Sequence, residues 1–178
     1  MDYLLKNGIS LTIRPPVPED AQGMVELFRA ADEESPFLIR NPGEFDFTVE
    51  QESALIKTME ENPDLQWYTA FCQGRLVGQS SAGLVNGRWQ RCRHRAQVGF
   101  VVLKAFWGLG IGGRLMENCL AWCREHGVEQ VELDVVAGNQ RALDMYKSFG
   151  FEVVGLRPRA LKYPDGTYAG ETAMIKYL

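Results

Sequence analysis

The pattern of apolar and polar positions along the chain predicts seven strands and four helices in the order βααβββαβαββ. The strands are predicted at residues 9–14, 66–72, 76–85, 95–103, 131–136, 151–161 and 168–177. The helices are predicted at residues 19–31, 48–61, 110–125 and 139–149. The segment 131–136 shows little polar alternation, which favours burial of that strand on both faces. The order indicates an α/β (α+β) fold with a mixed, mostly antiparallel sheet and helices on both faces.

A turn rich in glycine connects an apolar strand to a long helix, and it contains Gly108, Gly110, Gly112 and Gly113. Four glycines within six residues are costly in chain entropy, so a functional reason is favoured over a simple tight reversal. Glycines let the backbone approach phosphate oxygens, and the helix start offers unpaired N–H groups and a positive dipole end. Arg114 places a cation in the first helical turn, which suits a site that holds an anion. The turn therefore predicts a pyrophosphate site.

The same residues satisfy the GxGxxG pattern, so a dinucleotide-binding fold is the first alternative. Asp134 also lies roughly 20 residues further on, where that fingerprint places an acid. However, residues 104–107 intervene between the strand and the first glycine. Too little chain follows the motif to build a doubly wound sheet, and this favours a different phosphate-binding fold.

Composition narrows the range of partners. The 178 residues are 46% hydrophobic, which is typical of one globular domain that spans residues 1–178. A formal net charge of −4 and a pI of about 5.3 argue against nucleic acid as a partner. Local features must therefore hold any anionic ligand.

Four cysteines and two histidines show no metal-ligand spacing, so we expect packed thiols and no metal site. The N-terminal segment has no long apolar region, and no apolar run reaches about 20 residues, the length of a membrane span. We therefore expect a soluble cytoplasmic protein with no membrane contact.

A second block reads N-x-x-A-x-x-x-Y-x-x-x-G-F and runs from Asn139 to Phe151. With Gly110-Ile111-Gly112 placed after a strand, the chain resembles the GNAT superfamily of acyl-CoA N-acyltransferases, from about residue 12 to the end. The family's pyrophosphate motif is Q/R-x-x-G-x-G/A, and here Trp107 replaces the leading Gln or Arg. Two such blocks in the right order are more specific than either alone.

The resemblance implies that acetyl-CoA is the cosubstrate and that it lies in a V-shaped opening between strands 95–103 and 131–136. Its pantetheine arm is expected along Phe100, Val101 and Val102, with Asn139 contacting the arm. The pyrophosphate is expected on the amides of the turn residues Gly108, Leu109, Gly110, Ile111, Gly112 and Gly113, beside Arg114. The resemblance also implies a homodimer contact through the final hairpin.

The expected chemistry is attack of an amine on a thioester. A lysine-like amine has a pKa of about 10.4, so at neutral pH a base must take its proton. The resemblance implies that Tyr146 is the general acid that protonates the thiolate. The alternative is a core aromatic, because residues 142, 146 and 149 share one helical face.

The general base is open. Some family members carry a glutamate on the strand before the glycine turn, where this chain has Gln97. Asp134 is the first candidate, since a carboxylate in an apolar strand favours its protonated form. The alternative for Asp134 is an acid that satisfies backbone groups where strands separate. Glu132, His94 and a water chain are further candidates for the base.

Two functions follow. The first is transfer of the acetyl group from acetyl-CoA to a primary amine, by direct attack in a ternary complex. The second, left open by Gln97, is a non-catalytic acyl-CoA-binding sensor. The acceptor is a small-molecule or peptide amine of unspecified identity. The basic run 88–95 and the acidic run 32–34 can meet charged substrates, but solvated hairpin and helix ends are the favoured interpretation.

Overall fold

The computed structural model describes residues 1–5 and 7–178, and over these residues it contains one eight-stranded sheet and four α-helices. The strands are β1 (Asp2–Leu4), β2 (Ser10–Arg14), β3 (Leu65–Cys72), β4 (Arg75–Leu84), β5 (Arg95–Val102), β6 (Gln130–Val136), β7 (Glu152–Lys162) and β8 (Tyr168–Tyr177). The helices are α1 (Ala21–Glu34), α2 (Val49–Glu60), α3 (Ile111–Glu125) and α4 (Gln140–Ser148). The predicted fold class is confirmed.

The sheet has the strand order β1-β2-β3-β4-β5-β6-β8-β7, and every neighbouring pair is antiparallel except β5 with β6. β5 and β6 pair only at their starts, where Arg95–Gln97 meets Gln130–Glu132. Beyond Gln97 the two strands separate, while β5 stays paired with β4 up to Val102. The sheet therefore opens between β5 and β6, as the resemblance implied.

Helices cover both faces of the sheet. Val98 packs in a cluster with residues of α3 and α4, whereas Val101 packs in a cluster with residues of α1 and α2. Side chains three apart on a strand point to opposite faces, so α1 and α2 lie on one face and α3 and α4 on the other. Leu115 and Met116 of α3 are fully buried and anchor that helix across the middle of the sheet.

Three details differ from the prediction. The strand β1 (Asp2–Leu4) was missed, because three residues carry too little pattern and pairing with β2 creates the strand. The helix α1 continues to Glu34, since no helix-breaking residue precedes Pro36. Burial of 131–136 on both faces is wrong: Val131, Leu133 and Val135 are buried on one face, but Glu132 and Asp134 on the other face are only partly buried or exposed, and each is paired with an arginine.

Candidate active site

A cavity of about 770 Å³ lies where β5 and β6 separate. One wall is the last half of β5, and the floor is the glycine turn with the start of α3. The opposite wall is the end of β6 with α4, and the remaining side is closed by α1 and residues 35–40. The cavity thus joins both sequence blocks that carry the family resemblance.

The glycines of the turn have two different structural roles. Gly108 and Gly110 have φ values of 79° and 93°, in the left-handed region that side-chain-bearing residues rarely adopt. A Cβ atom on either would meet nothing within 4 Å, so the space above the turn is open. A Cβ on Gly112 would lie 3.1 Å from the Met145 sulfur, so Gly112 allows α3 to pack closely on α4. Conformation and packing together explain the cluster of glycines.

Helix α3 begins at Ile111, directly at the cavity. The first backbone N–H groups of a helix have no intrahelical acceptor, and here they belong to Ile111, Gly112 and Gly113. These three residues and Gly110 line the cavity, as does Gly108. The turn therefore presents unpaired donors and a positive dipole end to any ligand in the cavity.

Two of the predicted cofactor-binding residues do not line the cavity. Arg114 forms an ion pair with Glu117 at 2.8 Å, and its guanidinium lies 5.0 Å from the centre of the Tyr3 ring. Leu109 packs against the core cluster that contains Leu115. Phe100, Val101, Val102 and Asn139, by contrast, all line it.

Two arginines that do line the cavity, Arg40 and Arg141, were not predicted as site residues. Arg141, in the first turn of α4, lies with its guanidinium 3.5 Å from the centre of the Trp107 ring. Trp107 is fixed in turn by its indole N–H, which donates to the Val102 carbonyl at 2.6 Å. The available signal was the same as for Arg114, namely a cation in the first turn of a helix, where acids are normally preferred.

Tyr146 lies at the centre of the cavity wall, with a relative exposure of 8%. Its ring packs 6.0 Å from both Phe100 and Phe151, centre to centre, so it is also a core aromatic. Burial raises the pKa of Tyr146 to about 12, with a further contribution from Cys119. Its hydroxyl donates to no residue in the described part of the chain, so the protonated phenol is available to a ligand.

Asn139 caps α4, and its side-chain oxygen accepts a hydrogen bond from the Ala142 amide at 3.3 Å. The residue is half-buried and lines the cavity beside Tyr146. The cap that the sequence predicts is present, and the same side chain faces the space where the resemblance places the pantetheine arm.

Of the three candidate side chains for the general base, Asp134 lines the cavity and Glu132 and His94 do not. Asp134 lines the cavity, but its carboxylate lies 2.6 Å from the guanidinium of Arg157 and is partly exposed, so the apolar surroundings expected for it are absent. Glu132 is bound by Arg95, which holds the pKa of that carboxyl below its ordinary value. His94 and Gln97 are both exposed and lie outside the cavity.

The side of the cavity formed by α1 and residues 35–40 carries an unexpected ion pair. Asp32 is only 2% exposed, so the prediction that it lies at a solvated helix end is wrong. Arg40 binds both of its carboxylate oxygens, at 2.8 and 3.0 Å, and the Arg40 guanidinium lies over the rings of Phe28 and Phe45. This pair fixes residues 35–40 as a wall of the cavity.

Other polar groups of this region also escaped the sequence analysis. Gln79 and Ser81 of β4 line the cavity, and only their place in an otherwise apolar strand could have indicated it. The Tyr163 hydroxyl donates to the Pro36 carbonyl at 2.9 Å, so the β7–β8 turn contacts the 35–40 segment. The segments 33–47 and 157–166 therefore meet beside the cavity.

The remaining charged and thiol groups lie elsewhere. Arg93 of the basic run binds Asp64 at 3.1 Å, and the run lies outside the cavity. Burial raises the pKa of Cys119 and of Cys123 to about 12, so both are packed thiols. Among residues 1–5 and 7–178, no three His, Cys, Asp or Glu side chains form a group that could hold a metal ion. The described helices include none that is long and apolar enough to cross a membrane.

The fold, and the two sequence blocks that meet at the cavity, are of the GNAT type. The chain belongs to the Acetyltransferase (GNAT) family, whose family model matches residues 23–151. It is 36% identical over 88 residues to the mycothiol acetyltransferase of Propionibacterium freudenreichii subsp. shermanii, a match that covers 46% of this chain and only 28% of that relative.

Solved structures extend the likeness of the fold to most of the chain. A GNAT-family acetyltransferase from Streptococcus pneumoniae superposes with a TM-score of 0.87 at 24% identity, over 94% of this chain and 99% of that one. A putative acetyltransferase from Salmonella typhimurium, solved with its cofactor acetyl-CoA, gives a TM-score of 0.81 at 18% identity and covers 94% of each chain.

Proposed function

We propose that residues 1–178 form a single N-acetyltransferase domain that moves the acetyl group of acetyl-CoA to a primary amine by direct attack in a ternary complex. The observation that carries this proposal is the position of Tyr146. A protonated phenol lines the same cavity as the first amides of α3, and neither has a hydrogen-bond partner among residues 1–5 and 7–178. One site thus offers an anion-binding end and a proton donor.

The cofactor arm has a backbone partner along β5. The edge of β5 that faces β6 is paired only as far as Gln97, so its backbone groups from Val98 to Val102 have no strand partner on that side. Unpaired backbone groups at a sheet edge bind extended amide-containing ligands well. Pantetheine contains two amides, and we place it along Phe100, Val101 and Val102 with the pyrophosphate on the turn.

The reaction then proceeds in balanced steps. The amine nitrogen forms a bond to the thioester carbonyl carbon, and the tetrahedral intermediate breaks its carbon–sulfur bond. Tyr146 donates its proton to the departing sulfur and recovers one from solvent. The proton lost by the nitrogen passes to Asp134 or to a water held by Asp134, because Asp134 is the predicted acid that lines the cavity.

The acceptor enters from the side of the cavity formed by α1 and residues 35–40. That wall contains the apolar residues Phe28, Phe37 and Leu38 together with Glu34 and Arg40. The strand β4 adds the polar side chains of Gln79 and Ser81 to the cavity. These groups suit a small-molecule or peptide amine with an apolar flank. The carboxylate of Asp134 lines the same cavity.

The second candidate function is an acyl-CoA-binding sensor without turnover. The ion pair between Asp134 and Arg157 favours it, since the guanidinium occupies a carboxylate oxygen that a general base would need. The two functions separate in a thiol-release assay with acetyl-CoA and a panel of amines, run beside calorimetry with CoA. Turnover with any amine supports the transferase, whereas CoA binding without turnover for the whole panel supports the sensor.

We also propose a homodimer through β7, in keeping with the implied contact of the final hairpin. β7 is an edge strand, and it exposes Val153, Val154 and Leu156. A long exposed edge with apolar side chains favours pairing with a second strand. Sedimentation equilibrium tests this proposal, and a monomer at all concentrations would contradict it.

A further inference from the structure

The cation that faces the glycine turn comes from α4. Arg141 lines the cavity, and its guanidinium lies 3.5 Å from the centre of the Trp107 ring, directly before the turn that starts at Gly108. Arg141 forms no ion pair with any residue in the described ranges, unlike Arg114, which is bound by Glu117. Its charge is therefore uncompensated within this part of the protein.

The stacked arrangement leaves the hydrogen-bonding edge of the arginine free. A guanidinium that lies on an aromatic face is attracted through its flat surface, and its N–H donors point outward in the plane. The indole of Trp107 cannot rotate freely, because it donates to the Val102 carbonyl at the end of β5. Trp107 thus holds Arg141 in one orientation at the mouth of the turn.

The helix position of Arg141 provides an independent argument. It lies in the first turn of α4, where the positive end of the helix dipole disfavours a cation unless an anion is bound nearby. The open space above Gly108 and Gly110 is such a place, since a Cβ atom at either residue would meet nothing within 4 Å. An anion there lies between the amides of the turn and the guanidinium.

We propose that Arg141, positioned by Trp107, binds the pyrophosphate of the cofactor from the side opposite the amides of the glycine turn. This inference rests on the proposed function for the identity of the ligand. Arg141 would supply two N–H donors in a planar fork, which matches phosphate oxygens better than a point charge does. The Trp107–Arg141 pair would then supply the cation that Arg114 does not bring to the cavity.

Calorimetry with three probes tests the proposal: CoA, CoA that lacks the 3′-phosphate, and pantetheine. Arg141→Gln should weaken binding of both nucleotides by about 10- to 100-fold and leave pantetheine unchanged. The affinity of Arg141→Lys for CoA should lie between the affinities of Arg141→Gln and the wild type, because lysine keeps the charge but lacks the planar pair of N–H donors. Trp107→Phe, which keeps an aromatic face, should retain more affinity than Trp107→Leu.

Lys147→Gln is the matched control, since Lys147 is an exposed cation of the same helix and lies outside the cavity. An affinity of Arg141→Gln for CoA within about twofold of wild type would overturn the proposal. The proposal would also be overturned if Arg141→Gln lost affinity only for CoA with its 3′-phosphate, or lost equal affinity for pantetheine. A larger loss of CoA affinity in Arg114→Gln than in Arg141→Gln would overturn it too. Failure of the wild type to bind CoA would instead overturn the proposed function itself.

Discussion

Replacing Tyr146 with phenylalanine removes one hydroxyl from the cavity and leaves the ring between Phe100 and Phe151 in place. The hydroxyl has no partner among the described residues, so its loss breaks no hydrogen bond within that part of the fold. We therefore expect a thermal unfolding midpoint close to that of the wild type, and cofactor affinity should be little changed.

Turnover should respond very differently. A positioned general acid typically contributes about 10²- to 10⁴-fold, which corresponds to roughly 2.7–5.5 kcal/mol in the activation free energy. Because burial raises the pKa of Tyr146 to about 12, the phenol stays protonated through pH 10. Loss of activity through deprotonation of Tyr146 is therefore expected only as the pH approaches 12.

The assay is thiol release at saturating acetyl-CoA, with an acceptor found in the amine screen. Tyr177→Phe is the control, because Tyr177 is exposed on β8 and lies outside the cavity. An unchanged rate in Tyr146→Phe would remove Tyr146 from the mechanism. A parallel fall in cofactor affinity would show that the hydroxyl binds ligand instead of donating a proton to sulfur.

Three further changes test the site and the fold. Gly112→Glu should abolish CoA binding in calorimetry, since it places bulk against Met145 and negative charge at the phosphate-binding turn; normal affinity would refute the placement of the pyrophosphate. Asp134→Asn should lower kcat by about 10²-fold or more if Asp134 takes the proton, with little effect on CoA affinity, and an unchanged kcat would assign the proton to water. Glu52 is 1% exposed, no described residue hydrogen-bonds its carboxylate oxygens, and burial raises its pKa, so the folded state binds its proton more tightly than the unfolded chain. The protonated carboxyl contributes its full stability below the ordinary pKa of 4.5, and this contribution is lost as the pH rises through the raised pKa. Glutamine carries no such charge, so the thermal unfolding midpoint of Glu52→Gln, relative to that of the wild type, should rise as the pH increases. A difference that does not vary with pH, or an equal gain in the exposed control Glu60→Gln, would contradict this.

The glycine turn shows how far local sequence can lead. A left-handed backbone at Gly108 and Gly110 requires glycine whatever surrounds the turn, so the strand–turn–helix unit is readable from the chain alone. The same holds for Asn139, whose amide oxygen caps a helix that begins one residue later. Tyr146 was predicted as the general acid, with a core aromatic as the alternative, and its ring does pack in the core.

The surroundings of the two arginines Arg114 and Arg141 could not be predicted from local sequence. Arg114 and Arg141 both occupy first helical turns, and the sequence treats them alike. The fold turns Arg114 toward Tyr3, a residue of the first strand, and places Arg141 on Trp107. Tyr3 and Trp107 are far from these arginines in the chain, so local sequence indicates only the pair of Arg114 with Glu117, three residues on, and not which cation meets the cavity.

The sequence by itself determined the order of the elements from β2 onward, the turn with unpaired amides and the cap of α4, because each depends on residues within one or two helical turns. Tertiary structure decided the separation of β5 from β6, the pairing of Asp134 with Arg157 and the burial of Asp32. These features depend on how strands and helices from distant parts of the chain are packed. The sequence states which side chains carry charge, but the packing of distant segments decides which partners and how much solvent each of them meets.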